Sequence, residues 1–153
     1  MPSRPLDDSR YESAEASPGY LFWKAFHAWQ RHMRASLDPL GITQVQYSIL
    51  ATASYLASNT DSVSQQDVAN QLSMDKMMVS DVVKTLERRS LLSRQRSATD
   101  GRAFVIELTR EGKSLLKQAT PAVESVDEKF FGVLTKKARR RLMESLAELA
   151  PGE

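Results

Sequence analysis

The sequence predicts a mainly α fold with a small β-wing: a winged helix-turn-helix domain framed by terminal helices that form a dimerisation layer. Three observations predict it. Residues 64–90 hold two short helical patterns across a tight turn, and residues 91–108 read as a basic hairpin of two strands around a turn-rich loop. Apolar stripes at helical spacing stand at both ends of the chain. The chain thus divides into an N-terminal arm (1–17), a helical dimerisation region (18–40 and 110–150) and the winged domain (41–109).

The arm is rich in proline, serine and charge, with no period, and reads as flexible. Pro18 suits a first helical position. Phe22, Phe26, Trp29, Met33 and Leu37 then form one apolar stripe, ended by Pro39 and Gly41. Thr43 with Gln46 is a capping box for a second helix carrying Val45, Ile49, Leu50, Ala53 and Leu56. Ser64, with Asp67 three residues on, caps a short third helix. Ser73-Met74 makes the turn, and Asp75 caps a fourth helix with Val79, Val82, Val83 and Leu86 inward. Leu91–Arg96 is one strand, Ser97–Gly101 a loop, and Ala103–Leu108 an alternating strand with Phe104, Ile106 and Leu108 on one face. Thr109 caps a long helix in which Pro121 is expected to make a kink or break. Thr135 caps the last helix, with its stripe at Ala138, Leu142, Leu146 and Leu149.

Composition narrows the chemistry. The chain of 153 residues has no cysteine, which excludes disulfides, thiolate metal sites and thiol redox sensing. No apolar run approaches the roughly 20 residues needed to cross a bilayer. The N-terminus lacks an apolar signal core, so no membrane partner and a cytoplasmic location are expected. The net charge is only +2, but residues 88–102 carry five arginines against the single acid Asp100. The basic run at 136–141 reads as a solvated helix face.

A helix that reads the major groove buries one face and keeps the other free of bulk. Residues 75–89 meet that requirement, leaving Lys76, Met77, Ser80, Asp81, Lys84 and Arg88 outward and Met78 near the boundary. Free N–H groups at the head of this helix are expected to face phosphates or base edges. Lys76 can reach a phosphate or a guanine, and Met77 can rest on a thymine methyl. Lys84, three residues on, can neutralise Asp81. Ser64, Arg94 and Arg96 complete the candidate DNA-binding set with Asp100 and Arg102 of the wing. Arg102 suits a narrow minor groove, and Asp100 is placed to hold the guanidinium of either Arg102 or Arg96.

The run from Val68 to Gly112 resembles the MarR family of bacterial transcription regulators. The pieces that carry the resemblance are VANQLSMDKMMVSDVVKTLERRSLL, DGR and FVIELTREG, and the order of the remaining helices extends it over about residues 18–150. It implies a winged-helix homodimer on double-stranded DNA with two half-sites, terminal helices at the dimer interface, and repression as the commoner outcome. It also implies a small-molecule pocket between the dimer helices and the winged domain, suited to a small aromatic or phenolic effector. Candidates for that pocket are Trp23, His27, Trp29, Arg31, Met33 and Tyr47, which as plain dimer core would do without a ligand. Ser73 and Ser90 stand where the family often has glycine, and the Met77-Met78 pair is atypical and suggests an unusual operator preference.

No cofactor is expected. His27 and His32 lie about 140° apart around one helix, so they form no chelating pair and no metal site is expected. No nucleophile–base set or Gly-rich phosphate loop stands out, and an enzyme is not expected. The competing reading is a winged-helix protein-interaction module without operator binding, which the basic wing disfavours.

Overall fold

The computed structural model describes residues 8–150, so part of the N-terminal arm, residues 1–7, lies outside the described residues. A 3-10 turn at Ala14–Ala16 precedes α1 (Pro18–Leu37). A second 3-10 turn at Asp38–Leu40 leads to α2 (Gln44–Ala57), α3 (Gln65–Leu72) and α4 (Lys76–Arg88). The wing is β1 (Leu92–Arg96) and β2 (Phe104–Leu108), followed by α5 (Arg110–Phe131) and α6 (Lys136–Leu149). None of the described helices is long and apolar enough to cross a membrane.

Side-chain caps set the helix starts. Thr43 Oγ1 accepts from Gln46 N–H while Gln46 Oε1 accepts from Thr43 N–H, and Ser64 and Asp67 repeat this box on α3. Thr109 Oγ1 accepts from Gly112 N–H, and Thr135 Oγ1 from Ala138 N–H. Each such cap is worth about 1 kcal/mol. Gln46 Oε1 also accepts from Arg89 Nη1 at 3.2 Å, which pins the end of α4 to the start of α2.

The turn between α3 and α4 has Ser73 in the left-handed region at φ 48°, and Ser90 closes α4 at φ 56°. Behind them Val79, Val83 and Leu86 of α4 are fully buried with Ile49, Leu50, Val68 and Leu92 in one core. Burying each of these side chains stabilises the fold by about 1.5–3 kcal/mol. The strands pair antiparallel from Leu92 opposite Leu108 to Arg96 opposite Phe104. A backbone bridge between Ser64 and Val105, with Ile106 N–H donating to Val63 O, locks the wing to the head of α3. Both strands start one residue later than the sequence suggests. Leu91 N–H is spent on Leu86 O and Ala103 N–H on Asp100 O, so these residues belong to turns.

Pro121 does not interrupt α5, which is one helix of 22 residues. Pro121 and Lys117 are both exposed, so the missing backbone bond falls on the solvent side. The opposite face is held against α1: Ala119 is buried, and Trp29 Nε1 donates to Asp127 Oδ1 at 2.7 Å. The last helix is different. None of the residues of α6 is fully buried, and Met143 and Leu149 are exposed.

Candidate nucleic-acid interface

The outward face of α4 has the composition a groove demands. Lys76, Met77, Met78, Asp81, Lys84 and Arg88 are all exposed, while Ser80 is half-buried. Met77 and Met78 stand out at 71% and 52% exposure, so Met78 lies outside the boundary position expected for it. The expected free N–H groups at the head of α4 are not all free. Asp75 Oδ1 accepts from Met77 N–H at 2.9 Å and from Met78 N–H at 3.1 Å. The cap satisfies these donors internally, as any strong N-cap acid does. Lys84 Nζ lies 3.4 Å from Asp81 Oδ1, so the one acid on this face has its counter-charge beside it. Arg88 donates to Thr85 Oγ1 at 3.0 Å, within its own helix.

The wing sorts its arginines into two kinds. Arg94 is tied down, with Nε 3.3 Å from Glu87 Oε2 and its guanidinium 4.4 Å from the centre of the Phe104 ring. Arg96 leans on the same ring at 5.3 Å and donates Nη1–H to Gly101 O at 2.6 Å. Arg102 is exposed, and its guanidinium has no hydrogen-bond or ion-pair partner among the described residues.

Asp100 does not hold a guanidinium, contrary to the expectation from sequence. Its Oδ1 accepts from the Arg102 backbone N–H at 3.0 Å. A short aspartate side chain reaches the N–H two residues on more easily than a neighbouring cation, and this shapes the loop. Ser64 is likewise occupied: its hydroxyl lies 2.7 Å from Asp67 Oδ2 in the α3 capping box.

A second region lies between α1 and the start of α2, a cleft of about 590 Å³. Trp23, His27 and Arg31 line it together with Gln30, Arg34, Asp38 and Thr43–Val45. His27 Nε2 is buried there without a hydrogen-bond partner among the described residues, and its ring centre is 4.0 Å from that of Trp23. Trp29, Met33 and Tyr47 are elsewhere: Trp29 is bonded to α5, Met33 is buried in the protein interior and Tyr47 packs on the main core. Sequence reasoning missed Gln30 and Arg34, although with Trp23 and His27 they fall at steps of 4, 3 and 4 on one helix face. It also missed Glu87 and Phe104, the partners that fix Arg94. Among the described residues, no three His, Asp or Glu side chains are grouped to hold a metal ion.

Comparison with known proteins places this arrangement. A family model described as transcriptional regulator SarA/Rot matches residues 32–119. The chain is 32% identical over 145 residues to the HTH-type transcriptional regulator YdcH of Bacillus subtilis, covering 95% of this chain and 97% of that one. Among solved structures, Bordetella bronchiseptica BpsR, whose DNA binding is regulated by 6-hydroxynicotinic acid, superposes with a TM-score of 0.83. It is 21% identical, over 95% of this chain and 100% of that one. The MarR C80S mutant from E. coli, complexed with operator DNA, superposes with a TM-score of 0.78. It is 21% identical, over 87% of this chain and 93% of that one.

Proposed function

Because this chain belongs to the SarA/Rot family of transcriptional regulators and has the fold of MarR, we propose that it acts as a homodimeric repressor of the MarR type. It is a DNA-binding regulator, not an enzyme. Its target in this reading is a pseudo-palindromic operator, its location the cytoplasm, and a small aromatic or phenolic effector releases it.

The observation that carries the reading is the pairing of the exposed outward face of α4 with Arg102 of the wing, whose guanidinium has no partner among the described residues. In this reading α4 enters the major groove, where Lys76, Met77 and Ser80 meet base edges. Lys84 and Arg88 follow the backbone. Arg102 enters the adjacent minor groove, and Arg96 supports it. Arg94, Asp100 and Ser64 serve this surface by shaping it. The winged domain (41–109) is then the reading unit, and 18–40 with 110–150 the dimerising unit. The exposed apolar residues of α6 and of the first turns of α1 support that division, since a lone protomer leaves Phe22, Trp23, Met143 and Leu149 in water. A two-fold dimer sets its reading helices about 34–36 Å apart, one DNA turn. The cleft at Trp23, His27 and Arg31 is the effector site in this reading, its aromatic wall and cations suiting an aromatic anion.

A mobility-shift titration against the DNA upstream of its own gene, across a salt series, tests the proposal. Affinity should fall steeply as salt rises, because bound phosphates release counterions. No retarded complex at low salt would sink it.

A further inference from the structure

Met77 and Met78 form an exposed thioether pair at the head of α4, in a chain without cysteine. Both backbone N–H groups are held by Asp75 Oδ1, so the two side chains project from a fixed turn into solvent. Among the other described methionines, Met33 is 1% exposed and Met74 is packed against the core; Met143 is as exposed as this pair at 64% but lies on α6, outside the helix-turn-helix. With no thiol to compete, thioethers are the groups a two-electron oxidant attacks first, and exposure decides which.

We propose that Met77 and Met78 are an oxidation site through which hypochlorous acid lowers the affinity of this protein for DNA. The inference rests on the DNA-facing assignment of α4. The thioether sulfur attacks the chlorine of hypochlorous acid, forming an S–Cl bond and breaking Cl–O, with hydroxide leaving. Water then adds at sulfur and chloride departs. The net change is thioether plus hypochlorous acid to sulfoxide plus chloride and a proton. Sulfur loses two electrons and chlorine gains them. The product is a polar, acceptor-only group. Its polar oxygen must shed water to lie against a thymine methyl, and it faces a surface rich in phosphate oxygens. The cap at Asp75 still holds the backbone, so the change falls on the reading face and not on the fold. Enzymatic sulfoxide reduction makes it reversible.

The test treats the full-length protein with stoichiometric sodium hypochlorite, maps sulfoxides by peptide mass spectrometry and measures binding to the upstream DNA before and after. Sulfoxide should accumulate at Met77 and Met78 ahead of Met33 and Met74. Affinity should drop at least about tenfold, the size of one lost base contact. The melting temperature should stay within a degree or two of the untreated value. In the Met77→Leu/Met78→Leu chain, judged against its own untreated state, oxidation should leave affinity unchanged. Methionine sulfoxide reductase should restore binding to the oxidised wild-type chain.

An equal loss in the double-leucine chain overturns the proposal, as does sulfoxide at both positions with affinity retained. If the untreated protein binds no upstream DNA, the functional reading itself fails and the proposal falls with it. That result is distinct from a binder that ignores oxidation.

Discussion

Arg94 of the wing reaches back to Glu87 of the reading helix, Nε to carboxylate oxygen 3.3 Å, while its guanidinium lies 4.4 Å from the centre of the Phe104 ring. The angle between wing and helix is therefore held by a side chain that a charge count would assign to DNA. Replacing it should loosen that angle. Arg94→Ala is expected to cost about 1 kcal/mol in urea unfolding, from an ion pair that is part-screened and a cation–π contact. DNA affinity should fall by a similar factor at every salt concentration, with the salt slope unchanged.

Arg102→Ala should behave in the opposite way. The guanidinium is exposed and has no hydrogen-bond or ion-pair partner among the described residues, so unfolding should be unaffected. Operator affinity should fall by about 1–3 kcal/mol, and the slope of log affinity against log salt should shrink by about one unit per subunit. Titrations at three or more salt concentrations separate the two arginines. An Arg102→Ala chain with wild-type affinity would remove the wing from the interface.

Ser73 and Ser90 both adopt left-handed backbone, at φ 48° and φ 56°. A side chain there is strained, and glycine relieves the strain at the cost of a more flexible unfolded chain. Neither serine side chain makes a hydrogen bond among the described residues, so little else is lost. Ser73→Gly and Ser90→Gly should each stabilise the protein by about 0.5–1 kcal/mol, read as a higher denaturation midpoint at constant slope.

These positions show what the sequence could reveal. Every helix start among α2–α6 was legible, because a capping side chain is a local signal that needs no tertiary knowledge. The buried face of α4 was legible from spacing alone. The continuity of α5 through Pro121 was not, because it depends on which face of the helix packs on α1, a contact tied by Trp29 and Asp127, 98 residues apart, and which faces solvent. The roles of the wing residues were only half legible. Composition put five arginines in the region, but which are committed depends on Glu87, Phe104 and Gly101, contacts that a charge pattern does not encode. The cleft was legible by residue type at Trp23, His27 and Arg31, and missed at Gln30 and Arg34, where helix-face geometry is the better guide.

The terminal helix gives a test of assembly that leaves the reading domain untouched. Leu149 is 78% exposed and Leu146 half-buried on a helix with no fully buried residue. If this stripe meets its two-fold mate, Leu146→Asp/Leu149→Asp places unpaired carboxylates in the interface twice over, once from each subunit. Sedimentation should show a dimer for the wild-type chain and a monomer for the variant at micromolar concentration. The variant monomer should bind a full operator far more weakly, because its two half-sites are no longer linked.

Gly112 is the tightest joint between the wing and α5. It is buried in the first turn of the helix, and its N–H donates to the cap hydroxyl Thr109 Oγ1 at 3.0 Å. A Cβ built on it would lie 1.8 Å from the carbonyl oxygen of Leu91, an impossible approach to backbone that cannot rotate away. That same carbonyl accepts from Thr109 N–H, and Thr109 Oγ1 donates to Ser90 O at 2.6 Å. The helix therefore starts flush against Leu91, the residue that leads into β1. Gly112→Ala must either break these bonds or move the start of α5 away from β1. The expected cost is about 3 kcal/mol or more, at the upper end for overpacking, because the obstacle is main chain and not a side chain. Gly19→Ala is the control: a Cβ there would have no neighbour closer than Ser17 Oγ at 3.9 Å. Its unfolding midpoint should match or slightly exceed wild type, since alanine favours the helix. Near-wild-type stability for Gly112→Ala would mean that α5 does not sit against Leu91 as described.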